Sequence, residues 1–286
     1  ATLVDLGTKG VLTLTEGNFS CISGKAKSRK SFLALHVTIE ALRQNCQVLY
    51  FDTEQGTSRT ARIAKRIFSK LDKAKYGPSL HLFNLRSLTP KERTEVIAEA
   101  LKTIPAKLVV IDGIRDLVNA INDENEATQL STQLLRWSED NSNHIITILH
   151  QNKGDNNLRG HVGSEVMNKA EIVISVTKDP QNKEISLVAC EESRDIGFED
   201  FAFSISDELP VIEDSYKPNE TSGRVKKNPY DHEIAVRREI AREAIKSGEK
   251  LKYTEACTAV ATYVKKNLGF HICTVLSKRC MRFLVH

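Results

Sequence analysis

Short apolar runs alternate with stretches of helical periodicity along the first two thirds of the chain. Residues 19–23, 48–52, 80–84, 108–112 and 144–150 are strand-length runs in which apolar residues follow one another instead of alternating with polar ones. Such runs are expected of parallel strands covered on both faces. Between them, residues 31–44, 57–71, a segment after Pro90 and residues 126–141 carry apolar side chains at helical spacing. A regular succession of strand, helix and strand is the arithmetic of βαβ units. This part is therefore predicted to be an α/β domain, its mainly parallel sheet covered by helices on both faces. From Glu171 the pattern changes: residues 172–177 and 185–190 flank the turn-forming Asp179-Pro180-Gln181-Asn182-Lys183, which predicts a hairpin at the sheet edge. No internal repeat is visible.

Residues 213–230 contain two prolines, a glycine and several Ser, Thr and Asn but few aliphatic residues, the composition of a linker. They separate a core, residues 1–212, from residues 231–286. There, 231–247, 254–266 and 271–283 read as three short helices with Gly248 and Gly269 at the turns, and Ile234, Val260 and Phe283 are among the apolar positions of one small core. A small all-α C-terminal domain is the expectation.

The 286 residues carry a formal charge of +4, unevenly spread. Residues 214–286 hold 15 Lys and Arg against 8 Asp and Glu, whereas the preceding part holds 26 against 29. A basic three-helix unit resembles a helix-turn-helix, whose last helix would show Lys278, Arg279 and Arg282 to a DNA major groove. An interaction or lid domain with a solvated cationic face is the alternative. With 40% hydrophobic and 27% charged residues, the chain can bury a core and is no disordered tail. No apolar run approaches the roughly 20 residues that span a bilayer, so no membrane partner is expected. No basic segment followed by an apolar one marks a secretory signal at the start. Six cysteines without a CxxC pair suit a reducing, cytoplasmic location. Cys257, His271, Cys273 and Cys280 lack the closely spaced ligand pairs of structural zinc sites.

The first strand runs into Gly24-Lys25-Ala26-Lys27-Ser28-Arg29-Lys30-Ser31 and then a helix. A tight loop between a buried strand and a helix N-terminus is where polyphosphate binds. Backbone N–H groups point inward, the helix end is positive, a Lys reaches the β and γ phosphates, and a hydroxyl serves Mg²⁺. Gly24, Lys30 and Ser31 stand where G-x-x-x-x-G-K-[ST] puts its first Gly, its Lys and its Ser. Arg29 replaces the second Gly, and a left-handed backbone there would cost about 1 kcal/mol. Four cations within residues 25–30, at a positive helix end, repel one another without an anion.

Three strand ends add candidate chemistry. Residues 108–112 form an apolar strand ending in Asp112, like the Mg²⁺-holding strand of P-loop enzymes, or simply a helix cap. Asp116 supports it or is a surface charge. Glu54 follows Lys30 by 24 positions, at the carboxyl edge of the adjacent strand, where ligand sites lie and a carboxylate can polarise an attacking water. An N-cap is the alternative role. Residues 144–150 end in His150 and Gln151, donors able to sense a γ-phosphate or merely to terminate a strand.

Together, residues 24–31, Glu54 in YFDTEQG, LVVIDG at 108–113 and the strand-end HQNK resemble the RecA-like core of hexameric helicases. The likeness is to the RepA-type plasmid helicases and the DnaB-type group in particular, and to accessory ATPases of mobile genetic elements; it spans roughly residues 10–210. It implies a RecA-like P-loop ATPase that binds ATP and Mg²⁺ on the loop Gly24 to Ser31. On this likeness Lys30 and Ser31 hold phosphate and Mg²⁺, Asp112 is the Mg²⁺-side carboxylate, Glu54 activates water, and His150 or Gln151 senses the γ-phosphate. It also implies that Arg194, after the hairpin, serves a neighbouring subunit as an arginine finger, worth about 10³–10⁵ in rate. A homo-oligomer follows, either a hexameric ring or a filament. The family often has Lys two positions before that Arg, where Glu192 stands here. Arg159 and His161 fall where the family has a mobile loop facing the channel or the subunit interface. The expected function is ATP hydrolysis driving a helicase-like motor on DNA, in replication, mobilisation or excision of a genetic element. The alternative, favoured by Arg29 and Glu192, is a nucleotide-dependent DNA-binding switch with little or no hydrolysis.

Overall fold

The computed structural model describes residues 2–5, 13–151, 158, 160–194, 197–213, 216, 259 and 262. The chain divides into two units, Ala1–Lys217 and Pro218–His286. Apart from Ala259 and Thr262, both helical, the three expected C-terminal helices, with Lys278, Arg279 and Arg282, and the Cys257, His271, Cys273 and Cys280 group lie outside the described residues, as does Arg159.

A short antiparallel pair, β1 (Thr2–Asp5) and β2 (Thr13–Thr15), precedes the main sheet. The core then runs β3 (Asn18–Gly24), α1 (Lys30–Arg43), β4 (Val48–Asp52), α2 (Thr57–Phe68), α3 (Lys73–Tyr76), β5 (Leu80–Asn84), α4 (Pro90–Thr103), β6 (Leu108–Asp112), α5 (Glu124–Asp140), β7 (His144–His150) and α6 (Gly160–Lys169). Four strands follow: β8 (Ile172–Lys178), β9 (Ser186–Ser193), β10 (Phe201–Ser206) and β11 (Leu209–Ile212). Among the described residues the main sheet has the order β11-β10-β9-β8-β3-β7-β6-β4-β5. From β8 to β5 all pairings are parallel, and the rest are antiparallel.

Strand alternation divides the core into two layers. Val48, Tyr50, Leu108, Val110, Ile146 and Ile148 pack with α1 and α2 residues such as Leu33, Leu42 and Ile67. Leu49, Phe51, Val109, Ile111 and Ile145 pack with Ile97 of α4, Leu134 and Trp137 of α5 and Val162 of α6. This fixes which strand-end side chains share a face with the loop preceding α1.

The α/β core with both faces covered is as the sequence predicts, with three differences of detail. Helix α5 starts two residues early because the Asp123 carboxylate caps it, accepting from the Glu126 amide at 2.9 Å. The hairpin does not end the sheet: β8 lies against β3, β9 continues to Ser193, and β10 and β11 carry the edge outward. His161, expected with Arg159 in a mobile loop, instead stands exposed on α6. No helix of the described residues is long and apolar enough to cross a membrane.

Candidate functional site

The loop from β3 to α1 is held in a conformation that few residues adopt. Gly24 has φ +152°, and a Cβ there would lie 2.3 Å from the Val176 carbonyl oxygen; only glycine fits. Lys27 and Arg29 also have positive φ, 63° and 76°. Arg29 takes the left-handed conformation expected of the glycine it replaces, and its side chain leaves toward the β8–β9 turn. Nη1 donates to the Glu184 carbonyl at 2.6 Å and lies 3.5 Å from Ser186 Oγ, while Nη2 pairs with the Glu184 carboxylate at 3.3 Å. The hairpin thus holds the guanidinium where a glycine would have left space.

Lys30, only 5% exposed, opens α1. Its ammonium donates to the carbonyls of Gly24 (2.8 Å) and Lys25 (3.0 Å) and lies 3.2 Å from His150 Nδ1. An ammonium has no acceptor, so Nδ1 must accept, which leaves the proton of a neutral His150 on Nε2. Nε2 faces the Glu54 carboxylate, 3.3 Å from Oε1 and 3.5 Å from Oε2. Lys30, His150 and Glu54 therefore form one hydrogen-bonded chain. The His150 hydrogen bond, with smaller help from the Lys30 charge, holds the Glu54 carboxyl below its ordinary range against the opposing effect of burial. It stays ionised at neutral pH. Burial lowers the Lys30 ammonium, which an arriving phosphate would reverse.

Asp112 ends β6 on the same face. It accepts from Tyr50 Oη at 3.0 Å and is hydrogen-bonded by the Ser31 hydroxyl. Burial pushes its carboxyl up to about 6, with the Glu54 and Asp52 charges adding to the rise and the Ser31 and Tyr50 hydrogen bonds opposing it. A carboxylate and a hydroxyl side by side at the loop suit a Mg²⁺ ion, which is typically held by one or two protein oxygens plus phosphate and water. No cluster of three or more His, Cys, Asp or Glu offers a protein-only metal cage among the described residues.

These groups line a cavity of about 500 Å³ with Lys27, Ser28, Arg29 and a cationic wall from α2, namely Arg59, Arg62 and Arg66. Arg66 also lies over the Phe32 ring, 4.8 Å from its centroid. This wall is not among the candidates named from the sequence, although a spacing of three then four residues puts the three arginines on one helical face. Nor is Asp52, whose Oδ1 accepts from the amides of Glu54 (3.1 Å) and Gln55 (2.9 Å) and whose Oδ2 accepts from Thr60 Oγ1 (2.6 Å). Asp52 thereby aims Glu54 at the cavity.

Of the two strand-end candidates, the structure brings His150 to the cavity. Gln151 points to the other face, its Nε2 3.4 Å from Ser23 Oγ, and its buried Oε1 has no partner among the described residues. Lys25 and Ala26 lie on the outer side of the loop with Lys178. Asp116 is no idle surface charge: its Oδ2 accepts from Thr53 Oγ1 at 3.1 Å. Arg194 stands apart. Ser193 pairs with Ile172 at the start of β8, so Arg194 lies at the sheet edge opposite the loop. There its Nε donates to Ala170 O (3.2 Å) and its Nη2 to Asn168 O (2.9 Å).

A phosphate loop at the carboxyl edge of a parallel sheet, with carboxylates at the ends of β4 and β6, which pair with each other, β6 lying two strands away from the loop's β3, defines a RecA-like P-loop protein. The chain belongs to the AAA domain family, which it matches over residues 9–156. None of the curated proteins matches it. Among solved structures, the RadB recombinase is similar at 19% identity and a TM-score of 0.56, covering 74% of this chain and 100% of its own. A KaiC-like protein from the hyperthermophilic archaeon Pyrococcus horikoshii follows at 16% and 0.55, covering 69% and 90%. A third structure, an ATPase domain, stands at 16% and 0.54, covering 71% and 86%. At these identities the likeness is one of fold.

Proposed function

We propose that the protein is a Mg²⁺-dependent ATPase that hydrolyses the γ-phosphate with water, acts on DNA and works as an oligomer. The observation that carries this reading is the hydrogen-bonded chain from Lys30 through His150 to Glu54, facing Ser31 and Asp112 across one cationic cavity. Mg²⁺, held by Ser31 and Asp112, would supply charge neutralisation at the phosphates. Lys30 binds the phosphate tail and releases its carbonyl partners to do so. Ionised Glu54 orients and polarises the water whose oxygen forms the new bond to phosphorus as the bond to the bridging oxygen breaks, giving ADP, inorganic phosphate and a proton. His150 ties that carboxylate to the lysine that feels the phosphate, which suits a sensor.

Arg194 lies at the edge of the sheet opposite its own phosphate loop, so a role in hydrolysis requires a second copy of the chain. Such a position supports a finger acting between subunits, and slow hydrolysis is expected of an isolated chain. The basic residues 231–286, with Lys278, Arg279 and Arg282, are the expected DNA contact, and a recombinase among the similar folds is in line with DNA as partner. A helicase-like motor on a genetic element is the leading role. The rival is a switch that binds nucleotide and barely hydrolyses it, favoured by the pinned Arg29. Single-turnover hydrolysis of Mg²⁺-ATP with and without DNA separates them. Hydrolysis abolished by Glu54→Gln with nucleotide binding retained supports the enzyme, whereas tight binding without turnover at any protein concentration leaves the switch.

A further inference from the structure

The Glu54–His150 pair has a second side. Behind it lies another cavity, of about 360 Å³, which shares Glu54, Ile148 and His150 with the first and is otherwise bordered by Arg86, Arg115 and Asp116, among others. The catalytic pair is thus a partition between two chambers. Lys30, Asp112 and the α2 arginines border the first, while Arg86, Arg115 and Asp116 border the second.

The backbone segments that carry those arginines are held in place, and their guanidinium groups are little used. Arg86 follows β5 and Arg115 lies in the 3₁₀ turn after β6. Arg93 on α4 joins the two segments: its Nε donates to Leu85 O (3.0 Å), its Nη2 to Arg86 O (2.9 Å) and its Nη1 to Asp116 O (2.6 Å). The Arg86 guanidinium itself has no hydrogen-bond or ion-pair partner among the described residues. Arg115 donates from Nη1 to Val118 O at 3.3 Å, and Asp116 is 3.9 Å away. Asp116 Oδ2 shares the Thr53 hydroxyl with the Asp112 and Gly113 carbonyls, and the Glu54 carboxylate pairs with His150. Two fork-shaped cations with free donors, on segments clamped by a third arginine, make a site for a tetrahedral oxyanion.

We propose that this second cavity is a product site, in which Arg86 and Arg115 bind inorganic phosphate after it has passed the Glu54–His150 partition. The inference rests on the hydrolytic reading above and adds a route and a holding place for one product. Phosphate leaving this way need not wait for ADP to vacate the loop, and Arg86 and Arg115 would retain it against the carboxylate of Glu54.

The test is equilibrium dialysis of radiolabelled inorganic phosphate against the full chain preloaded with ADP and Mg²⁺. Wild type binds one phosphate per chain. Arg86→Gln with Arg115→Gln weakens that affinity at least about tenfold, as expected when two charge-assisted contacts are lost, while ADP affinity, which also reports folding, is unchanged. The single Arg86→Gln gives an intermediate loss. Equal phosphate binding by wild type and double variant, or none by wild type with ADP bound, overturns the proposal. So does a double variant that keeps phosphate but loses affinity for single-stranded DNA, because the arginines then serve a nucleic-acid backbone. Failure of wild type to bind ADP at all would instead remove the nucleotide reading on which the inference stands.

Discussion

Arg29 shows how a single departure from a motif can be absorbed. Its left-handed backbone costs about 1 kcal/mol relative to glycine, and its guanidinium is tied to a hairpin carboxylate that is 82% exposed, a pairing worth at most about 1 kcal/mol in water. Strain and tether nearly cancel. Arg29→Gly is therefore expected to change unfolding free energy by less than about 1 kcal/mol and to leave Mg²⁺-nucleotide affinity within about twofold, as measured by chemical denaturation and titration. A loss of nucleotide binding would show that the guanidinium itself touches the ligand. Asp112 makes the opposite prediction, a stability gain at the expense of binding. Its carboxyl holds a proton more tightly folded, at about 6, than unfolded, at 3.8. Stability from this group therefore rises as pH falls through that window, and above it the buried charge destabilises the nucleotide-free fold. Asp112→Asn should raise the melting temperature at mildly alkaline pH by an amount corresponding to roughly 2–3 kcal/mol. The gain should shrink as pH falls from 6 toward 3.8, and Mg²⁺-dependent nucleotide binding should be weakened at neutral and alkaline pH, where the wild-type carboxyl is ionised. An unchanged melting temperature would mean that Asp112 is not carrying a buried charge.

At the scale of elements, the link between β4 and α2 carries the site, because Asp52 fixes both the turn bearing Glu54 and, through Thr60, the first turns of α2. Asn84 on β5 adds hydrogen bonds to Gln55 O and Thr60 Oγ1, each at 2.7 Å. Asp52→Ala strips acceptors from buried donors and is expected to cost roughly 2–4 kcal/mol of stability and to lower single-turnover hydrolysis more than nucleotide affinity, since Lys30 and Ser31 stay in place. Equal losses of both would make Asp52 merely structural. The buried parallel strands were legible in the sequence because continuous apolar runs bounded by polar turns have few other solutions, and Lys30, Ser31, Glu54 and Asp112 were legible because they sit at the ends of those runs. What escaped lacked such signals. The β10–β11 turn is made by Asp207 and Glu208, both at positive φ, without the Asn-Gly or Gly that marks a two-residue hairpin. Helix α6 contains Gly160 and Gly163 and buries little beyond Val162 and Val166, too short a stripe to outweigh its glycines. The second cavity was invisible for another reason: Arg86, Arg93 and Arg115 come together only through the sheet order.

For the whole molecule, the separation of Arg194 from the loop is the feature with consequences for assembly. If Arg194 completes a neighbour's site, Arg194→Ala and Glu54→Gln damage different partners of the same catalytic centre. Each variant alone should be inactive, and a mixture of the two should regain part of the wild-type rate, because some interfaces then pair an intact Glu54 with an intact Arg194. A mixture no more active than its components would remove the finger. The central claim, though, is that the loop of residues 24–31 embraces a triphosphate. Calorimetric titration of the full chain with a slowly hydrolysed ATP analogue and Mg²⁺ tests it most directly. Wild type should bind one nucleotide per chain, and Lys30→Ala, which removes the buried ammonium, should weaken binding at least about a hundredfold. No heat from wild type, or the same isotherm from both proteins, would contradict the account.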